Sequence, residues 1–132
     1  MKTILTPWRQ PVFGSRIHGV FQDLRLLSEL TARENLSIKT RLIESPQSKQ
    51  IEALAERLGI KEQLEQPCHL ISFGQQQRLA ILRALLQPFR VLLLDEPFSH
   101  LDPDNSRTCL DLILEICEDR NAGLFLATLD DD

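Results

Sequence analysis

The chain has 132 residues, of which 42% are hydrophobic and 26% are charged, close to the averages of globular domains. This composition excludes global disorder, and the longest aliphatic run, at residues 91–94, is far shorter than the roughly 20 residues that cross a bilayer. The start of the sequence is too short in apolar length for a signal peptide, so we expect a cytosolic protein of single-domain size.

The net charge of −4 is unevenly distributed along the chain. Residues 1–50 carry eight Lys/Arg and four Asp/Glu, whereas residues 51–132 carry seven Lys/Arg and fifteen Asp/Glu. The basic residues of the first part are dispersed, which disfavours a nucleic-acid partner. The three cysteines lack CxxC spacing and the three histidines are isolated, so a zinc site is disfavoured and reduced thiols are expected.

The first predicted elements are a short strand over residues 16–21 and two helices. Residues 31–34, Thr-Ala-Arg-Glu, match the Thr-x-x-Glu capping box, in which side chains bind free backbone N–H groups, and predict a helix start. A second helix is predicted to start at residues 45–46, Ser-Pro, and to end at Gly59. Its apolar residues follow the i, i+3, i+4, i+7 spacing of one helix face (Ile51, Leu54, Ala55 and Leu58). Residues 60–71 are expected to form a loop.

From residue 72 the pattern alternates between helices and strands. Residues 72–75 form a Ser-x-x-Gln capping box ahead of a helix that is predicted to stop at residues 87–88. Residues 91–94 are aliphatic at every position, which is typical of a parallel strand buried on both faces, and two carboxylates follow at once. A helix from residue 102 and a last strand over 124–128 complete half of a doubly wound α/β sheet. The buried face of that helix is predicted from its spacing (Leu110, Ile113, Leu114 and Cys117).

Four short motifs follow one another in the chain. They are Val-Phe-Gln-Asp at residues 20–23, Ile-Ser-Phe-Gly-Gln-Gln-Gln-Arg at 71–78, the strand with its carboxylates at 91–97, and Phe-Ser-His-Leu-Asp at 98–102. In this order and spacing they resemble the Q-loop, signature, Walker B and D-loop motifs of the ATP-binding subunits of ABC transporters. The resemblance covers residues 16 to about 130.

This resemblance implies a fold and a division of the chain. The fold would be the C-terminal-side part of a P-loop NTPase-type parallel sheet with an inserted ABC-type helical subdomain. Residues 1–22 would be the remnant of the nucleotide-binding core ending in the Q-loop, and residues 23–88 the helical subdomain ending in the signature helix. Residues 89–132 would be the Walker B and D-loop part. The sequence has no Gly-x-x-x-x-Gly-Lys-Ser/Thr pattern, the Walker A phosphate loop, so we expect a longer module to precede residue 1.

The resemblance also implies a site for ATP and Mg²⁺. Asp95 would hold the metal ion, usually through water, and Glu96 would act as general base on the attacking water. Gln22 would contact both the metal ion and that water. The helix start of the signature would face ATP held by a second ATP-binding subunit, since an anion suits a helix N-terminus. The residues implied to bind the cofactor are Gln22, Ser72, Phe73, Gly74, Gln75 and Asp102.

Two positions depart from the family pattern. Phe73 stands where the first glycine of the signature normally allows close approach of the backbone. Leu129 stands where the last strand normally ends in a histidine that contacts the γ-phosphate, and a leucine side chain forms no hydrogen bond. His100 occupies a variable position of the D-loop and receives no role.

Three functions stay open at this stage. The first is an ATP-hydrolysing transporter subunit that dimerises head to tail, as a homodimer or heterodimer, and drives a membrane permease from the cytoplasmic face of the inner membrane. The second is a non-hydrolytic or regulatory ABC-like fragment that only docks a membrane partner. The third, a DNA-repair or chromosome-maintenance relative, is disfavoured because residues 22 and 72 lie only 50 positions apart, too few for a long coiled-coil insertion. The substrate and the direction of transport stay open.

Overall fold

The helices and strands of the chain are taken from a computed structural model, which describes residues 2–5, 17–20, 24–40 and 48–129. In chain order they are β1 (Lys2–Leu5), β2 (Ile17–Val20), α1 (Ala32–Thr40), α2 (Ser48–Arg57), α3 (Phe73–Leu85), β3 (Val91–Asp95), α4 (Pro103–Asp119) and β4 (Gly123–Thr128). Two single-turn 3-10 helices, Lys61–Gln63 and Cys68–Leu70, lie in the predicted loop between α2 and α3. No helix among the described residues is long and apolar enough to span a membrane.

The described strands form one sheet in the order β1-β4-β3-β2. Strands β2, β3 and β4 are parallel, whereas β1 pairs antiparallel with β4. The parallel part confirms the predicted α/β fold class. The antiparallel strand β1 is not predicted from the sequence; it is defined by its pairing with β4.

Strand β3 lies between two parallel neighbours, as its aliphatic sequence predicts. Three of its residues are buried (Val91, Leu92 and Leu94). A strand in the middle of a sheet has no edge facing solvent, and here helices cover it as well, so nearly every position needs an apolar side chain. Its carboxyl end is therefore held in a fixed position relative to both neighbouring strands.

Helix α3 connects the sheet to the smaller helices, since it packs against β2, α1, α2 and α4. The predicted face of α2 is buried, and Gly59 ends that helix with a φ of 72°, the left-handed conformation that favours glycine. The predicted start of α2 at residues 45–46 lies outside the described residues. The cap of α1 has one of the two hydrogen bonds of the predicted capping box, since the Thr31 hydroxyl accepts from the Glu34 N–H at 3.1 Å. The other contact of that hydroxyl is with the Glu34 carboxylate, to which it donates at 3.2 Å.

The buried face of α4 differs from the predicted one. The predicted residue Leu114 is exposed, and Leu110 is only partly buried. The predicted residues Ile113 and Cys117 are buried as expected, and the buried stripe of the helix contains Cys109 and Leu112 in place of Leu110 and Leu114. Both stripes are apolar at helical spacing, so the sequence pattern alone does not choose between them. The position of the sheet and of α3 decides which stripe is covered.

Candidate functional site

The two predicted carboxylates lie at the carboxyl end of β3. Asp95 is the last residue of the strand, opposite Ala127 of β4, and Glu96 follows it; both residues are half-buried. The backbone of Glu96 has a φ of 48°, a left-handed conformation that few residues other than glycine adopt. Its N–H donates to the carbonyl of Ala127 at 2.8 Å. The chain thus leaves β3 through a strained turn that is held by β4.

The end of β2 lies at the same edge of the sheet. Strands β2 and β3 are parallel, with Val20 opposite Leu94, so the segments that follow them leave from the same side. The predicted Q-loop residue Gln22 comes two positions after Val20 and lies outside the described residues. Its contacts with the metal ion and the attacking water stay a prediction.

The start of α3 has both hydrogen bonds of the predicted capping box. The Ser72 hydroxyl accepts from the Gln75 N–H at 3.1 Å, and the Gln75 side-chain oxygen accepts from the Ser72 N–H at 2.9 Å. The first turn of a helix still presents backbone N–H groups that have no partner within the helix, together with the positive end of its dipole. This end of α3 is therefore chemically suited to an anion such as a phosphate, although Gln75 itself is engaged in the cap.

Gly74 is required by the packing of α3 against the loop after β3. A Cβ at this position would lie 2.7 Å from the carbonyl oxygen of His100 and 3.2 Å from the side chain of Leu101. Such a distance to a backbone atom is too short for any side chain, so the glycine permits contact between the two predicted motifs. A role of Gly74 in binding ATP stays a prediction.

Phe73 is placed at the open end of α3, where 42% of it is exposed. Its ring meets the imidazole of His100 with centroids 4.3 Å apart and planes tilted by 58°. The two rings are thus in direct contact. Phe73, which replaces the family's glycine, therefore contacts His100 of the predicted D-loop. The two rings lie beside the N-terminus of α3.

Asp102 is the N-cap of α4. Its carboxylate accepts from the backbone N–H of Asn105 at 2.7 Å and from the Asn105 side chain at 3.0 Å. The backbone hydrogen bond, helped by the side-chain bond and by the charge of Arg78, holds the pKa of Asp102 below its ordinary value against a smaller desolvation effect. The carboxylate therefore already has partners within α4, and its predicted contact with ATP is not tested.

One buried polar side chain, Gln77, lies between the two motifs and is not predicted from the sequence as a functional residue. Gln77 is 2% exposed; its amide nitrogen donates to the Ser99 hydroxyl at 2.9 Å and its oxygen accepts from the His100 N–H at 3.0 Å. The available signal was its place on the apolar stripe of α3, in line with Ile81 and Ala84 at i+4 and i+7. A polar residue on a buried stripe indicates a specific hydrogen-bond partner.

Two arginines of α3 connect this helix to other segments. Arg78 donates to the carbonyl of Leu58 at 3.0 Å and to the side-chain oxygen of Asn105 at 3.3 Å, which links α2, α3 and α4. Arg83 donates to the carbonyls of residues 24 and 25 at 2.6 and 3.0 Å. The chain that follows the predicted Q-loop is therefore tied directly to the predicted signature helix.

Asp95, the last residue of β3, is the candidate metal ligand among the described residues. Among those residues, no group of three or more His, Cys, Asp or Glu side chains could hold a metal ion by itself. Magnesium in phosphate-transfer sites usually keeps several waters and takes only one or two protein carboxylates, with phosphate oxygens completing its shell. Asp95, at the end of β3, fits that requirement as a single protein carboxylate, and Glu96 beside it stays predicted as the general base.

Comparison with known proteins identifies the family. The model of the family described as ABC transporter matches residues 2–99. The thiamine import ATP-binding protein ThiQ of Haemophilus ducreyi is 40% identical over 112 residues, which are 83% of this chain and 53% of that protein. The phosphonates import ATP-binding protein PhnC of Frankia casuarinae is 38% identical over 117 residues, 80% of this chain and 46% of that protein. The chain spans about half the length of the curated relatives it matches.

The solved structures that are similar to this chain include members of the same family. The cbiO1 protein from Clostridium perfringens, described as part of the ABC transporter complex cbiONQ, matches with a TM-score of 0.68 and 31% identity over 86% of this chain and 47% of its own. A dimeric bacterial ABC transporter cassette matches with a TM-score of 0.78 and 25% identity over 88% of this chain and 53% of its own. The chain belongs to the ABC transporter family and spans part of an ATP-binding cassette.

Proposed function

We propose that the protein is an ATP-binding and ATP-hydrolysing subunit of an ABC importer. The observation that carries this proposal is the position of Asp95 and Glu96 at the carboxyl end of a central parallel strand, within a chain of this family. The thiamine and phosphonate relatives are both import proteins by name, which favours import over export. The proposed substrate class is therefore a small molecule taken up by import, as the names of these two relatives describe.

The proposed reaction is attack of water on the γ-phosphate of MgATP. When bound, magnesium supplies charge neutralisation at the phosphate oxygens, and Asp95 is the residue proposed to hold it, with Gln22 as a second contact. Glu96 accepts a proton from the attacking water. Its left-handed backbone and its hydrogen bond to Ala127 support this role, because a general base needs a fixed position as well as a suitable group.

A second ATP-binding subunit is the partner proposed for the open end of α3. In a head-to-tail dimer this helix end would face a phosphate bound to the other subunit, with Ser72, Phe73, Gly74, Gln75 and Asp102 as the proposed contacts. The exposed helix N-terminus supports this arrangement, as does the match to a dimeric cassette. The second subunit is either another copy or a homologous chain.

A membrane permease is the partner proposed for the helical subdomain, residues 23–88. Segments 28–30 and 68–70 lie side by side there, since the His69 N–H donates to the carbonyl of Ser28 at 3.1 Å. This pairing brings two strongly exposed leucines to one region, Leu27 at 54% and Leu70 at 65% exposure. Exposed leucines on neighbouring segments support contact with a protein partner, and the place proposed for this contact is the cytoplasmic face of the inner membrane.

The same proposal keeps the other two segments, residues 1–22 and 89–132, as parts of the nucleotide-binding core. The pairing of β1 and β2 with β3 and β4 in one sheet supports their assignment to a common unit. The long helix α3 packs on both β2 and the smaller helices, so residue 88, after its end, is a reasonable boundary.

A subunit that docks a permease without hydrolysing ATP is the second candidate. Leu129, 68% exposed just after β4, favours it, because a leucine at this place removes a hydrogen-bonding contact with the γ-phosphate. Phe73 favours it as well, since its ring stands at the open end of α3.

The steady-state rate of ATP hydrolysis distinguishes the two candidates. The protein is produced from its own gene, so that any native flanking sequence is included, and is compared with Glu96→Gln. We expect the parent to hydrolyse MgATP and the variant to lose about 10²–10⁴-fold in rate while still binding the nucleotide. Equal rates in the two proteins would exclude Glu96 as the base. A parent that binds MgATP but hydrolyses none would favour the second candidate.

A further inference from the structure

Gln77 is the one uncharged polar residue of α3 that is buried under the loop after β3. Its amide makes three contacts with that loop: it donates to the Ser99 hydroxyl at 2.9 Å, accepts from the His100 N–H at 3.0 Å, and lies 3.5 Å from the carbonyl oxygen of Glu96. An amide side chain offers both a donor group and an acceptor group. Gln77 alone can therefore contact a backbone N–H, a hydroxyl group and a backbone carbonyl of the loop.

These contacts complete the support of the Glu96 backbone. On one side, the Glu96 N–H donates to Ala127 of β4; on the other, the carbonyl of Glu96 faces the amide nitrogen of Gln77. The residue between these two supports adopts the left-handed conformation, with a φ of 48°. Such a conformation persists only where the surrounding structure enforces it. Strand β4 and helix α3 thus both contact the Glu96 backbone, one at its N–H and the other at its carbonyl.

We propose that Gln77 is a positioning residue for ATP hydrolysis, which holds Glu96 and residues 99–100 in the geometry that the reaction needs. The proposal rests on the function proposed above, and Gln77 acts through Glu96 without touching the nucleotide. Gln77 lies one helical turn after Gly74, so the helix end proposed to face the second subunit and the contacts to the loop that carries Glu96 belong to the same helix.

The first test is a set of substitutions in the protein made from its own gene. Gln77→Met keeps the length of the side chain and removes both hydrogen-bonding groups, whereas Gln77→Glu keeps an acceptor for the His100 N–H and loses the donor. We expect kcat to fall about 10–100-fold in Gln77→Met, with KM for MgATP changed by less than about threefold, because small misplacements of a reacting group have effects of this size. Gln77→Glu should lose at least as much, because its carboxylate would be buried and would face the carbonyl oxygen of Glu96 without a donor.

Gln76→Met is the matched control. Gln76 is the neighbouring amide of the same helix, and it donates to the carbonyls of Cys68 and Ile71 at 2.8 and 3.2 Å, away from the loop after β3. The Gln76→Met variant therefore loses a similar set of hydrogen bonds, and none of them involves Glu96. We expect its kcat to stay within about twofold of the parent. An equal fall of kcat in both variants would show a general loss of helix packing and would overturn the positioning role.

A double-mutant cycle with Ser99→Ala provides a readout that a loss of stability does not reproduce. Ser99 and Gln77 are in direct contact, so the effects of Gln77→Met and Ser99→Ala on kcat should be strongly non-additive. Amide exchange at His100, whose N–H is bonded to Gln77, should accelerate at least about tenfold in Gln77→Met, while Ser106 in α4 keeps its rate. Additive effects and unchanged exchange would contradict the proposal.

The outcomes separate this proposal from the proposed function. A parent without ATP hydrolysis refutes the proposed function, and the positioning role falls with it. An active parent with kcat unchanged in Gln77→Met overturns the positioning role alone. If Gln77→Met fails to fold, Gln77→Glu decides in the same way: a fall of kcat by about threefold or more supports the role, and a kcat within about twofold of the parent overturns it.

Discussion

Gly74 and His100 approach so closely that no other residue fits at position 74. A Cβ there would lie 2.7 Å from the His100 carbonyl oxygen, a backbone atom that cannot rotate away. We expect Gly74→Ala to lower the free energy of unfolding by about 1–3 kcal/mol, the usual effect of overpacking a close contact. Denaturant unfolding measures this change, with Arg107→Ala on the exposed face of α4 as a control. A Gly74→Ala variant as stable as the control would contradict the observed approach.

Asp102 contributes to stability in a pH-dependent way. Its pKa is lowered in the folded protein, chiefly by the backbone N–H of Asn105, so its contribution is fully present above the ordinary value of 3.8. It is lost as the pH falls below that value through the lowered pKa. We therefore expect Asp102→Ala to be less stable than the parent near pH 7, and the difference to shrink near pH 2.

Chemical denaturation at the two pH values checks this prediction for Asp102. Asp111→Ala is the control, because Asp111 is an exposed carboxylate in the middle of the same helix, away from its N-terminus. The difference in free energy of unfolding between Asp102→Ala and the parent should depend on pH. If it is the same at both pH values, the charge of the carboxylate does not contribute to the cap.

The buried cysteines should react slowly with thiol reagents. Burial raises the pKa of Cys109 and of Cys117 to about 11, and it also raises the pKa of Cys68. Only the thiolate reacts, so the native protein near pH 8 should be labelled far more slowly than the protein in denaturant. Mass spectrometry of the labelled peptides follows each cysteine. Labelling of Cys109 at the same rate in both conditions would mean that α4 is not packed as described.

The 132-residue polypeptide by itself should bind MgATP only weakly. Most of the affinity in a P-loop site comes from successive backbone N–H groups around the phosphates and from one lysine, and the Walker A pattern that supplies them is absent from these 132 residues. The carboxylates Asp95 and Glu96 repel a polyphosphate except through the metal ion. Isothermal titration tests this, with the protein made from its own gene as the comparison. A dissociation constant in the low micromolar range for the polypeptide would place the nucleotide site elsewhere.

The helical subdomain should contact its permease through residues near Leu27. Single cysteines placed at exposed positions over 24–35 are crosslinked to a candidate permease in membranes, and exposed positions of α4 such as Arg107 serve as controls. We expect crosslinks near Leu27 because it is strongly exposed and its segment is hydrogen-bonded to the segment that carries the exposed Leu70. Crosslinks at the α4 controls alone would assign the permease to a different face.

Several features were determined by the sequence itself because they depend on neighbours along the chain. The capping box at residues 72–75, the left-handed stop at Gly59 and the aliphatic strand at residues 91–94 arise from local hydrogen bonds, local backbone preferences and burial on both faces. The order and spacing of four motifs along the chain likewise indicated the family, because they resemble the motifs of that family.

Tertiary structure decided the features that depend on residues distant in the chain. Helix α4 has two apolar stripes, and only the position of the sheet determines that Leu112 is buried while Leu114 is exposed. Strand β1 is defined by its pairing with β4 and not by its own four residues. The role of Gln77 depends on the loop that returns to it 22 residues later, because a buried amide acquires a function only when the groups it binds are brought within reach.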